Sequence, residues 1–188
     1  MHRSKLFVFS APSGSGKTTI ARAILQRHPE FVFSISATTR KKRPNEIDGK
    51  DYFFLSQESF KKKITENEFI ENEEIYGDYY GSLKKQVDEA LHHGQNMVFD
   101  IDVKGALAIK KTYPENAVLI FVVPPTVEIL RERLQKRNTE EHEKLQRRLA
   151  RVPMEMEKQK EFDHIVFNDD LQRAITETEF IIKKYLNH

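Results

Sequence analysis

Short apolar runs punctuate an otherwise polar chain at Leu6–Phe9, Phe31–Ile35, Met97–Ile101, Val118–Val123 and His164–Phe167. They are rich in β-branched and aromatic residues and short, which predicts buried strands. Between several of them lie stretches with helical patterning, over 17–28, 103–112, 126–136 and 170–186. Strands alternating with helices imply an α/β fold, a parallel sheet covered on both faces. Residues 40–95 interrupt the alternation with a basic run, a turn at Gly49, the apolar stretch Tyr52–Leu55 and a tyrosine cluster flanked by Gly77 and Gly81. This insertion reads as a separate lobe over the carboxyl ends of the strands, where open α/β sheets bind ligands. A second, charged excursion runs from Arg131 to Lys160, and Pro153 predicts a break or kink in its helix. Repeats, low-complexity tracts and flexible linkers are not evident.

The first apolar run leads into Ala11-Pro12-Ser13-Gly14-Ser15-Gly16-Lys17-Thr18-Thr19 and then a helical stretch. Strand, glycine-rich turn, Lys-Thr and helix in that order predict a loop that binds the phosphates of a nucleoside triphosphate. Gly14 and Gly16 let backbone N–H groups turn toward one anion at the positive end of the helix. Lys17 is placed to reach the β- and γ-phosphates, and the Thr18 hydroxyl to ligate Mg²⁺. Ala11 stands where the general pattern has its first glycine. Asp100, at the end of the run Met97–Phe99, is placed to orient the same Mg²⁺ through water, or else to cap the helix that follows.

Composition narrows the setting. The 188 residues suit one domain. With 31 basic and 29 acidic residues, the net charge of +2 exerts no global pull toward nucleic acid or membrane. The chain has no cysteine, which excludes disulfides and thiolate metal sites. Its first apolar run is too short for a signal sequence, and no run approaches membrane-spanning length. A cytoplasmic protein is expected. The seven histidines lack metal-ligand spacing.

The basic run Arg40-Lys41-Lys42-Arg43 alone could be a solvated turn or a nucleic-acid patch. Following a strand, in a chain with a triphosphate loop, it suggests a grip on a second phosphate, with Arg40 and Arg43 converging on one anion. The pattern Ser34-x-Ser36-x-Thr38-Thr39-Arg40-x-x-Arg43-x-x-Glu46-x-x-Gly49-x-x-Tyr52 resembles the GMP-binding signature of guanylate kinases. Phe69-Ile70-Glu71, Tyr79-Tyr80-Gly81-Ser82, Phe99-Asp100-Ile101-Asp102 and Phe167-Asn168-Asp169-Asp170 match that family's motifs in order and spacing, and bacterial members often carry alanine at position 11.

The resemblance implies a P-loop NTPase three-layer fold, with a parallel sheet core, an inserted GMP-binding lobe and a helical lid. It implies one domain over 1–188, with core 1–36, 95–125 and 162–188, a GMP lobe of about 37–94 and a lid of about 131–160. The implied activity is transfer of the γ-phosphoryl group of ATP to GMP, and to dGMP by the same reading, with Mg²⁺ required. Guanine presents N1–H and an amino group side by side, which one carboxylate can accept together; Glu71 is the implied reader, with Ser36, Ser82 and Asp102 beside it. Without the resemblance Glu71 would pass as one surface charge among Glu66, Glu68, Glu73 and Glu74. Arg40, Arg43, Tyr52 and Tyr80 are implied to hold the GMP phosphate, with Gly81 at the same site. Lys17, Arg43, Arg137 and Arg148 are the implied catalytic residues, and residues 11–19 with Asn168 the ATP site, Asn168 touching adenine. The arginines between 131 and 160 otherwise read as a solvated salt-bridge face. Two further readings are a guanylate-kinase-like scaffold module that binds a protein ligand, and a kinase for another nucleoside monophosphate.

Overall fold

All five apolar runs become strands of one sheet in the computed structural model, which describes residues 4–75, 77–126, 128–130, 132 and 142–186, with backbone alone for 142–145, 147 and 148. The chain runs β1 (Leu6–Ser10), α1 (Lys17–Arg27), β2 (Val32–Phe33), β3 (Ala37–Thr38), β4 (Phe53–Phe54) and α2 (Gln57–Thr65). It continues through β5 (Phe69–Ile75), β6 (Asp78–Leu83), α3 (Lys84–His92), β7 (Met97–Asp100), α4 (Val103–Thr112) and β8 (Ala117–Val123). Last come α5 (His142–Glu157), a 3-10 turn (Lys158–Glu161), β9 (His164–Phe167) and α6 (Leu171–Leu186).

The main sheet has the order β2-β7-β1-β8-β9, with every neighbouring pair parallel. Side chains alternate across the pleat. Phe7 and Phe9 join Ile120, Ile20 and Ile24 of α1, and Ile175 and Ile182 of α6. Leu6 and Val8 join Leu119, Val87 of α3, and Val103 and Ile109 of α4. The result is helix, sheet, helix. β8 is buried at every position, which explains its unbroken apolar sequence. β2 is shorter than the run that predicts it, because Gln86 of α3 takes both backbone polar groups of Ile35 (3.2 and 2.7 Å) and ends the ladder.

Residues 37–83 build a second, four-stranded sheet of order β4-β3-β6-β5. Its hairpin β5–β6 packs on α2, where Phe60 stacks on Phe69 with centroids 4.4 Å apart. The Ser56 hydroxyl caps α2 by accepting from the Ser59 N–H at 3.1 Å. Of the break or kink expected at Pro153, the break does not occur: α5 continues through it to Glu157 before tightening into the 3-10 turn. Of the helix expected over 126–136, the described residues 128–130 and 132 are helical and most of the rest lies outside the described residues.

Candidate active site

β1 ends at the centre of the sheet, and the chain turns through Ala11–Gly16 into α1. Gly14 and Gly16 both have φ near 90°, a left-handed conformation that a side chain would strain. Ala11 is not among the positive-φ residues, so its methyl group is accommodated where other loops carry glycine. Ser15 is buried, and its hydroxyl donates to the Pro12 carbonyl at 2.6 Å. Asn168, implied to contact adenine, is 4% exposed and braces the loop from behind. Its Nδ2 donates to the Ser15 carbonyl at 2.6 Å, and its backbone N–H donates to Val123 at 2.8 Å.

The Lys17 ammonium lies 2.8 Å from Asp100 and donates to the Ile101 carbonyl at 2.6 Å. Burial pushes the Asp100 carboxyl up, but the Lys17 charge and hydrogen bonds from Lys17 and Thr18 more than offset this and hold it below the usual range. The cap of the following helix is Asp102 rather than Asp100: its Oδ1 accepts from the Gly105 N–H at 2.8 Å. Thr18 and Asp100 thus present hard oxygen donors side by side beneath the loop, the chemistry Mg²⁺ prefers. No cluster of three or more His, Cys, Asp or Glu suited to a metal occurs among the described residues, so phosphate oxygens and water would complete any shell.

On the opposite wall, β5 and β6 pair Glu71 with Ser82, whose hydroxyl donates to the carboxylate at 2.8 Å. Burial, with the nearby charges of Asp102 and Glu73, outweighs the Ser82 bonds and pushes Glu71 up to about 7. Burial and Glu73 likewise push Asp102 up to about 6. The start of α4 presses on this pair, since a Cβ at Gly105 would lie 3.2 Å from the Glu71 carboxyl carbon. The Tyr52 and Tyr80 rings meet edge to face at 6.2 Å, and the Arg40 guanidinium stands 5.3 Å from the Tyr52 ring centre. Arg40 makes a two-pronged pair with Glu46 at 2.7 and 3.1 Å, and Glu46 also accepts the Arg43 N–H at 2.8 Å. The Arg43 residue itself is exposed.

A cavity of about 360 Å³ joins the two walls. Residues 11–18 close one end; Ser36, Tyr52, Glu71, Tyr80 and Gly81 form the other, with Asp100 and Asp102 between. Arg40, Arg43, Ser82, Thr19 and Asn168 stand off its wall, although Ser82 and Arg40 touch residues that form it. Arg137 lies outside the described residues, and Arg148 is seen in α5 by its backbone alone.

The wall also contains Glu73, Ile75, Arg151 and Glu155, which sequence reasoning left as surface or did not weigh. Two signals were available. Glu71, Glu73 and Ile75 share one face of β5 by strand alternation, and Arg151 and Glu155 share one face of α5 at i, i+4 spacing. The Arg151 guanidinium lies 3.5 Å from Glu73, 3.9 Å from Asp102 and 3.6 Å from Glu155. Part of the arginine stripe therefore faces the cavity rather than bulk solvent.

Comparison with known proteins bears on what such a site does. Residues 3–185 match the family model described as guanylate kinase. A guanylate kinase of Bacteroides thetaiotaomicron is 50% identical over 184 residues, covering 97% of this chain and 90% of the relative. One of Chlorobaculum tepidum is 46% identical over 186 residues, covering 99% and 95%. The crystal structure of guanylate kinase from Anaplasma phagocytophilum superposes with a TM-score of 0.81 at 29% identity, covering 98% of this chain and 87% of that one.

Proposed function

The chain belongs to the guanylate kinase family and phosphorylates GMP with ATP, and from that premise we propose how its own residues carry out the transfer. The observation that carries the assignment is the one cavity with a phosphate loop at one end and the Glu71–Ser82 pair at the other. Backbone N–H groups of Gly14–Thr18 hold the ATP phosphates, and Lys17 turns from Asp100 toward the β- and γ-phosphates. Asn168 keeps the loop in shape. At the far wall Glu71 accepts the N1–H and amino group of guanine, with Ser36, Ser82 and Asp102 shaping the pocket. Adenine would leave this carboxylate unpaired, a mismatch that reaches about 10⁴-fold discrimination.

Tyr52, Tyr80, Arg40 and Arg43 hold the GMP phosphate. Its oxygen forms a bond to the γ-phosphorus while the bond to the β–γ bridging oxygen breaks, and ADP leaves with that electron pair. Arg137 and Arg148 of the lid, with Lys17, neutralise charge on the transferred group. Mg²⁺, bound through Thr18 and Asp100, would supply further neutralisation of the phosphates. We include dGMP as an acceptor, because it presents the same base edge and phosphate as GMP and differs only at the ribose 2′ position. Residues 1–36, 95–125 and 162–188 serve as the fixed core, and about 37–94 and 131–160 as the lobes that close on it and exclude water. We assign the reaction to the cytoplasm; no helix among the described residues is long and apolar enough to cross a membrane.

The test is ADP formation from ATP and Mg²⁺ with GMP, dGMP, AMP, UMP, CMP or dTMP, beside a control without acceptor. Turnover with GMP and dGMP far above the rest supports Glu71 as the reader. Equal turnover with AMP would overturn the assignment of the base site.

A further inference from the structure

Glu73 is on β5 of the inserted lobe, Asp102 caps α4 of the core, and Arg151 projects from α5 within the lid region. These three elements come from distant parts of the chain, and their charged ends meet on the cavity wall beside Glu71. Glu73 Oε2 and Asp102 Oδ2 are both buried and lack a hydrogen-bond donor among the described residues. Two carboxylates placed so close repel unless a shared proton or a cation joins them. Lys104 pairs with Glu73 at 2.8 Å, but its side chain is 69% exposed and it serves that one carboxylate. Among the described residues Arg151 reaches both, at 3.5 and 3.9 Å, and Glu155 one turn along α5 steadies it at 3.6 Å. A planar, forked guanidinium suits such bridging where a point charge does not.

We propose that Arg151 is a positioning residue for acceptor recognition: from the lid helix it ties Glu73 of the lobe to Asp102 of the core and so holds the carboxylate edge of the base site in place. The inference rests on the reading of Glu71 and Asp102 as the guanine site. Seating of the lid helix and ordering of that site are then one event. Loss of Arg151 acts on GMP and leaves the ATP loop, at the other end of the cavity, undisturbed.

Steady-state kinetics with GMP and ATP varied separately test this, using the wild type, Arg151→Ala, Arg151→Lys, Glu73→Gln and the double variant Arg151→Ala/Glu73→Gln. Arg151→Ala is expected to raise KM for GMP about fivefold or more, in the range usual for coupling between sites, with KM for ATP nearly unchanged. Arg151→Lys should recover part of the loss. The double variant should be less impaired than the two single effects combined predict, because both remove one bridge. An unchanged KM for GMP in Arg151→Ala, an equal rise for both substrates, or strictly additive effects would each overturn the proposal. If Arg151→Ala does not fold, Glu73→Gln and Arg151→Lys carry the same split between the two KM values. A wild type inactive with GMP would sink the base-site reading itself, a result distinct from an active wild type indifferent to Arg151.

Discussion

Glu71 stands close to its own midpoint at neutral pH, pushed up to about 7 chiefly by burial, with Asp102 and Glu73 adding to it. Only the ionised form accepts both donors of guanine, so GMP affinity should strengthen as pH rises from about 6 to about 8. Glu71→Gln should weaken that dependence sharply, leaving what Asp102 and the GMP phosphate contribute; isothermal titration of both proteins across this window checks it. Stability runs the other way. Between about pH 4.5 and 7 the unfolded chain has released a proton that folded Glu71 retains, so the contribution of Glu71 to stability falls with rising pH. Thermal melts should therefore show Glu71→Gln gaining on the wild type between about pH 5 and pH 8, and an unchanging gap would refute the buried-acid picture. Asn168→Ala removes the donor to the buried Ser15 carbonyl. It should cost about 1–3 kcal/mol of stability and weaken ATP more than GMP, measured by denaturant unfolding and by the two KM values.

At the scale of elements, the hairpin β5–β6 depends on a missing side chain. A Cβ at Gly81 would lie 2.8 Å from the Phe69 ring and 2.9 Å from the Glu71 carbonyl. Gly81→Ala should destabilise the fold by about 1–3 kcal/mol and raise KM for GMP, since relief of the clash moves the strand that holds Glu71. A variant with wild-type melting and wild-type KM would contradict this. The main sheet was legible because β1, β7 and β8 are buried on both faces, and such strands leave continuous apolar sequence. β5 was not, because three of the seven residues in Phe69-Ile70-Glu71-Asn72-Glu73-Glu74-Ile75 are acidic and the segment looks like solvent-facing chain. Its acids face a cavity that only the fold creates. The same holds for Arg151: helical spacing pairs it with Glu155, but no local pattern reveals that Glu73, far earlier in the chain, lies opposite. The phosphate loop was readable because its strand, glycines and helix are consecutive. The brace by Asn168 was not, because its partner is 153 residues away.

Across the whole molecule, two buried clusters clothe the main sheet, whereas the lobe rests on a small one built around Ala37, Phe60 and Phe69. Amide hydrogens of β8 should exchange only on global unfolding, and those of β5 and β6 through an opening of lower free energy. Exchange mass spectrometry compares them directly; equal protection would show that the lobe and core unfold together. The link from Asn168 to Ser15 has a consequence during synthesis. The loop acquires this support from the residue that follows β9, which is translated 153 positions later. A chain still on the ribosome thus carries the whole phosphate-loop sequence without its finished shape, and nucleotide can reward only a chain in which position 168 has been made and has folded back onto the loop.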